Sequence, residues 1–206
     1  MNFVKNFIQS GVDNMYNDAE TYKNFYEIIG GKKFMAPSAS AYHSNSINEI
    51  AATITVYVRQ NKCGKVFTDS LDLHLPDGNV FRPDLIVVTK ENAGLINWNR
   101  GIYGVPDMVV EVLSKSTRKF DLTAKKDSYE ACGVKEYWIV DPFRKVVDVY
   151  LLRDEKYYLD EEYVYYTPEE FADLNDEEKA NIKSEIKLTI FEDCIVKLED
   201  IFSYEL

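Results

Sequence analysis

Three short apolar runs constrain this chain more than any other feature: "LIVV" at 85–88, "MVVEVL" at 108–113 and "YWIV" at 137–140. Each has the length of a strand and almost no polar interruption. Such strands belong in a sheet covered on both faces. Between the second and third runs lies "DLTAKKDSYEACG", a helical stretch that Gly133 is placed to end. Strand, helix and strand in that order predict a crossover joining two strands of one sheet.

The rest of the chain fits around that core. "FYEIIGGKKFMA" (25–36) predicts a hairpin turning at Gly30-Gly31. In 43–62, Ile47, Ile50, Ala51, Ile54 and Val58 fall on one helical face, with Ser44 or Ser46 as cap. "KVFTDSLDLHLP" alternates as a strand does, and "PDGN" turns the chain. "KVVDVYLL" and "YYLDEEYVYY" flank "RDEK" as an antiparallel hairpin, and "TPEEFADLNDEEKANIK" (167–183) predicts one exposed helix. The tail "LTIFEDCIVKLEDIF" predicts a strand and a short helix packed back on the body. The expectation is a single domain over 1–206, with an N-terminal helical extension (1–21) and an acidic C-terminal hairpin and helix extension (151–206).

Composition removes several classes. Hydrophobic residues at 46% and charged residues at 29% are an ordinary globular mixture. No run approaches the roughly 20 apolar residues of a membrane span. "MNFVKNFIQSGVDN" breaks too early for a signal-peptide core. Cys63, Cys132 and Cys194 form no CxxC pair, so neither a zinc site nor a disulfide framework is indicated. The chain reads as cytoplasmic, with no membrane partner.

The net charge of −11 argues against nucleic acid until its distribution is considered. Residues 1–150 carry 18 basic and 18 acidic side chains, and residues 151–206 carry 6 and 17. Within 113–126, Lys115, Arg118, Lys119, Lys125 and Lys126 face Asp121 alone. That patch suits a phosphate backbone or is the solvated face of a helix.

Glu111 stands inside the second apolar run, where an ionised carboxylate needs a partner or a metal. Asp84 sits at the mouth of the first run, in "FRPDLIVV". If the strands are neighbours, the two acids meet at one sheet edge and repel unless a cation intervenes. Mg²⁺ or Mn²⁺ suits them, with the backbone carbonyl of Val112 as a third ligand. Lys125 and Lys126 both lie on the following helix, and periodicity does not choose between them. Two acids, a lysine and a metal are the parts needed to hydrolyse a phosphodiester; the bland alternative is a structural Glu111–lysine pair.

Several longer stretches carry a resemblance: "YEIIGGKKFMAPSASAYH", "FRPDLIVV", "PDMVVEVLSKSTRKFDLTAKKDSYEACGVKEYWIVDP" and "VKLEDIF". From about residue 22 to the C-terminus the chain resembles the Uma-two family, restriction-endonuclease-like proteins of the PD-(D/E)XK nuclease superfamily. The resemblance implies a restriction-endonuclease-like α/β/α sandwich around a mixed sheet and a divalent-metal site. It places Asp84 at the "RPD" acid and Glu111 at the second acid. The superfamily lysine normally lies two residues after that acid, where this chain has Leu113. The resemblance moves that role to the helix, to Lys125, with Lys126 as runner-up.

Other residues are weighed at the site's edge. His43 matches a family segment and is either site-edge or structural. Glu49 opens the long helix and either approaches the metal or faces solvent. Asp107 either reaches the site or anchors a turn, with the turn favoured. Lys115, Arg118, Lys119 and Lys126 are the expected nucleic-acid contacts. The leading expectation is an Mg²⁺- or Mn²⁺-dependent endonuclease acting on nucleic acid, DNA ahead of RNA, with a symmetric homodimer as the simplest way to cut both strands. The alternative is a catalytically silent nucleic-acid-binding or protein-interaction module on the same fold.

Overall fold

The computed structural model describes residues 26–35, 39–68, 71–114 and 121–204. The expected extension at 1–21 and the basic residues Lys115, Arg118 and Lys119 lie outside them. A hairpin of β1 (Tyr26–Ile29) and β2 (Lys32–Met35) precedes the long helix α1 (Ala41–Asn61). Ser40 caps that helix by accepting from the His43 N–H, one turn ahead of the serines read as caps. The strands β3 (Gly64–Thr68), β4 (Leu73–His74), β5 (Val80–Phe81) and β6 (Leu85–Thr89) follow. Then come β7 (Ile96–Asn97), β8 (Gly101–Tyr103) and β9 (Met108–Val112). Past 121, one turn of wider winding (Asp121–Lys125) runs into α2 (Lys126–Cys132), which ends at Gly133 with φ 93°. That left-handed conformation favours glycine. Next are β10 (Glu136–Asp141), β11 (Val146–Arg153) and β12 (Lys156–Val164). The chain closes with α3 (Pro168–Asp173), α4 (Asp176–Asn181), β13 (Glu185–Lys187), β14 (Ile195–Lys197) and α5 (Leu198–Phe202).

The central sheet is mixed, in the order β12-β11-β10-β9-β6-β3. The three apolar runs are its middle strands, buried throughout. β9 and β10 are parallel and joined through α2, so the predicted crossover is present. The β11–β12 hairpin continues this sheet rather than standing beside it.

Alternate residues of the buried strands feed two cores. Leu85, Val87, Val110, Val112, Trp138 and Val140 pack on one face against α1 and the C-terminal elements. Ile86, Val88, Val109, Leu113, Tyr137 and Ile139 pack on the other against Tyr129 of α2 and a second sheet. That second sheet, β2-β1-β5-β4-β8-β7, was not anticipated, and it covers much of the face a second helical layer was expected to cover. The helix predicted over 167–183 is two helices, because Asn175 opens its own capping box with Glu178. Among the described residues no helix is long and apolar enough to cross a membrane.

Candidate active site

β6 and β9 are antiparallel, with Leu85 opposite Val110. This register brings the residue before β6, Asp84, to the edge where Glu111 stands. The two meet through the main chain: the Val112 N–H donates to Asp84 Oδ2 at 2.6 Å. His43, in the first turn of α1, places Nε2 3.3 Å from the same oxygen. Both contacts of Asp84 therefore converge on Oδ2, and its side chain keeps 21% of its surface accessible.

Glu111 shares strand parity with Val109 and Leu113 and so points into the second core. It is 2% exposed. Lys125 Nζ lies 3.1 Å from each carboxylate oxygen, and the Tyr129 hydroxyl donates to Oε1 at 2.8 Å. Lys125 and Tyr129 are one helical turn apart, which sets both side chains over the same sheet position. Tyr129 is itself held edge-on to Phe81, at 5.3 Å between ring centroids. Glu111 is tolerated in its apolar strand because an ammonium and a phenol satisfy it. Asp84 and Glu111 were expected to repel in the absence of metal, but Lys125 already balances Glu111.

The next residue round the helix goes elsewhere. Lys126 Nζ sits over the Tyr150 ring, 3.6 Å from its centroid. Burial pulls the Lys126 pKa down, against the upward pull of Glu130, Asp127 and Asp148.

Asp107 is not at this edge. It precedes β9, at the strand's opposite end, and accepts from the Thr89 N–H, Asn92 Nδ2 and Lys135 Nζ at 2.7–2.8 Å. It anchors a turn, the role favoured for it. Glu49 lies six residues beyond His43, about 120° round α1 and roughly 9 Å along it, so the two do not share a face. From sequence Tyr129 is expected to brace its helix rather than do chemistry, and what it braces is Glu111. The signal for that partnership is its spacing of four from Lys125, which puts the two on one helical face.

A divalent ion suits this donor set. Mg²⁺ takes one or two carboxylates and keeps its waters, and here two carboxylates flank one main-chain segment. Among the described residues no three His, Cys, Asp or Glu side chains gather as a ready metal cluster, so any ion would rest on these two acids, main chain and water.

A mixed sheet with helices on its faces and these acids at its edge places the protein in the restriction-endonuclease-like α/β class. The chain belongs to the Uma2 family, described as "Putative restriction endonuclease", whose model matches residues 14–182. In fold it is similar to an Anabaena variabilis protein described as "a putative nuclease belonging to DUF820". That match has a TM-score of 0.65 and 20% identity over 88% of this chain and 91% of that one, a likeness of fold. No curated protein matches the chain.

Proposed function

We propose that the protein is an Mg²⁺- or Mn²⁺-dependent nuclease hydrolysing phosphodiester bonds, with DNA the substrate ahead of RNA. The observation that carries this is the delivery of Asp84 and Glu111 to one sheet edge with Lys125 seated on Glu111. Asp84, Glu111 and the Val112 carbonyl would hold the ion. When bound, it supplies charge for the phosphate and a more acidic water. His43 fixes the orientation of Asp84 at Oδ2. Glu111 and the protein around it hold the Lys125 ammonium where phosphate charge develops, without reorganisation during reaction. Tyr129 keeps Glu111 in place. Lys115, Arg118 and Lys119 contact the backbone, and a symmetric dimer presents two such edges to a duplex. A cytoplasmic, single-domain protein is part of the same proposal.

The test begins with heat. Millimolar Mn²⁺ should raise the melting temperature of the wild type and not that of Asp84→Asn. Plasmid, single-stranded DNA and RNA should then be assayed with Mn²⁺ for wild type, Asp84→Asn and Lys125→Met. Cleavage by wild type alone supports the proposal. No metal response and no cleavage of any substrate would leave the binding module as the better account.

A further inference from the structure

A second site is suggested at the far end of the sheet. β6 runs from Leu85 to Thr89, so its end lies about 17 Å from Asp84 at strand rise. There a cavity of about 430 Å³ opens between α1, β3, β6 and the turn after β6. That volume is within the range of small-molecule sites. Arg59, Lys62, Lys65 and Lys90 line it, and no acidic residue does, in a chain with 35 acids against 24 bases. Among the described residues none of these four forms an ion pair.

Arg59 and Lys62 have an ordinary explanation, because cations at a helix C-terminus offset its dipole. Lys65, exposed on the edge strand β3, also guards that edge against pairing, but Lys90 after β6 has neither role, and both line the same cavity from other elements. The apolar part of the wall is Val58, Val66, Val88 and Ile96, with the threonines 55 and 89 beside it. Four cations exceed what one carboxylate needs and suit the doubled charge of a phosphate ester. The apolar wall suits a flat ring, and the hydroxyls suit its polar edge.

We infer that this cavity binds a nucleoside phosphate, as a free nucleotide or as the phosphorylated end of a nucleic-acid strand. The inference is independent of the nuclease reading, because it uses neither Asp84 nor Glu111. Titration calorimetry in EDTA, which keeps hydrolysis out, tests it with AMP, adenosine, inorganic phosphate and a 5′-phosphorylated tetranucleotide. AMP should bind one to one and more tightly than adenosine or phosphate, by about tenfold or more. The double variant Lys65→Glu/Lys90→Glu should lose about tenfold or more in AMP affinity with its melting temperature unchanged, both side chains being exposed. If the reversed pair fails to fold, Lys65→Met/Lys90→Met takes its place and should weaken AMP in the same direction. Tighter binding of the tetranucleotide than of AMP identifies a strand end, and the reverse a free nucleotide; either supports the site. The inference is overturned if AMP does not bind at millimolar concentration. It is equally overturned if phosphate binds as tightly as AMP, or if the variants bind AMP as the wild type does.

Discussion

The side chains of Glu111 and Lys125 each keep only 3% of their surface exposed, and each makes the other's burial tolerable. Breaking a buried pair by removing one member typically costs about 3–5 kcal/mol. Glu111→Gln should therefore destabilise the metal-free protein on that scale. This reverses the sign expected from repulsion between Glu111 and Asp84. Lys125→Met should cost a similar amount and abolish cleavage. It should also gain more melting temperature from Mn²⁺ than the wild type does, since the ion would then restore the missing positive charge. Lys126→Met should lose only about 1 kcal/mol, the scale of a cation–π contact, and keep most activity. Urea denaturation with and without Mn²⁺ measures all three. Losses below about 1 kcal/mol for both Glu111→Gln and Lys125→Met would contradict the buried pair. The two acids were legible because each interrupts or opens an apolar run. The choice between lysines was not, because it depends on Tyr150, two strands from Glu111, which receives Lys126.

The element that organises the site is β9, pinned at both ends by carboxylates of opposite purpose. At its start, burial pushes the Asp107 pKa up, but Lys135, the Thr89 N–H and Asn92 outweigh it and hold the carboxyl below its ordinary value. A folded pKa below the unfolded one contributes stability above the unfolded value, and that contribution is lost as pH falls through the folded value. Asp107→Asn should thus be less stable than wild type at neutral pH, by about 1–3 kcal/mol. The gap should narrow as pH drops through the carboxylate range, and the Mn²⁺ response should be unchanged. Urea midpoints from neutral to acid pH read this directly, and a gap independent of pH would refute the assignment. Elements of this kind were legible in proportion to length. The apolar strands were evident, whereas β4, β5 and β7 have two residues each, too few for alternation to reveal a whole second sheet. The break between α3 and α4 was written in the sequence, as Thr167…Glu170 followed by Asn175…Glu178, two helix starts eight residues apart.

At the scale of the whole molecule, the acidic C-terminal part is also core. Ile186, Leu188, Phe191, Cys194, Val196, Leu198, Ile201 and Phe202 complete the apolar cluster on the α1 face of the sheet. Glu136 of β10 fastens this segment, accepting from the Thr189 N–H and hydroxyl, the Ile190 N–H and Trp138 Nε1. Burial raises the Glu136 pKa even against those four donors. The excess of acid thus lies on the outer surface of a segment whose inner surface the fold requires. Each large buried apolar side chain contributes about 1.5–3 kcal/mol, so the eight together are worth roughly 12–24 kcal/mol. A domain's entire stability is typically about 5–15 kcal/mol. Removing residues 184–206 should therefore give a chain with no cooperative melting transition and poor dispersion in its proton NMR spectrum. Thr189→Ala, which removes one hydroxyl donor from Glu136, should keep the fold and lose only about 1–3 kcal/mol. The pair separates core from fastening. A truncated chain that melted cooperatively, with wild-type dispersion, would show that the sheet and α1 stand without the tail.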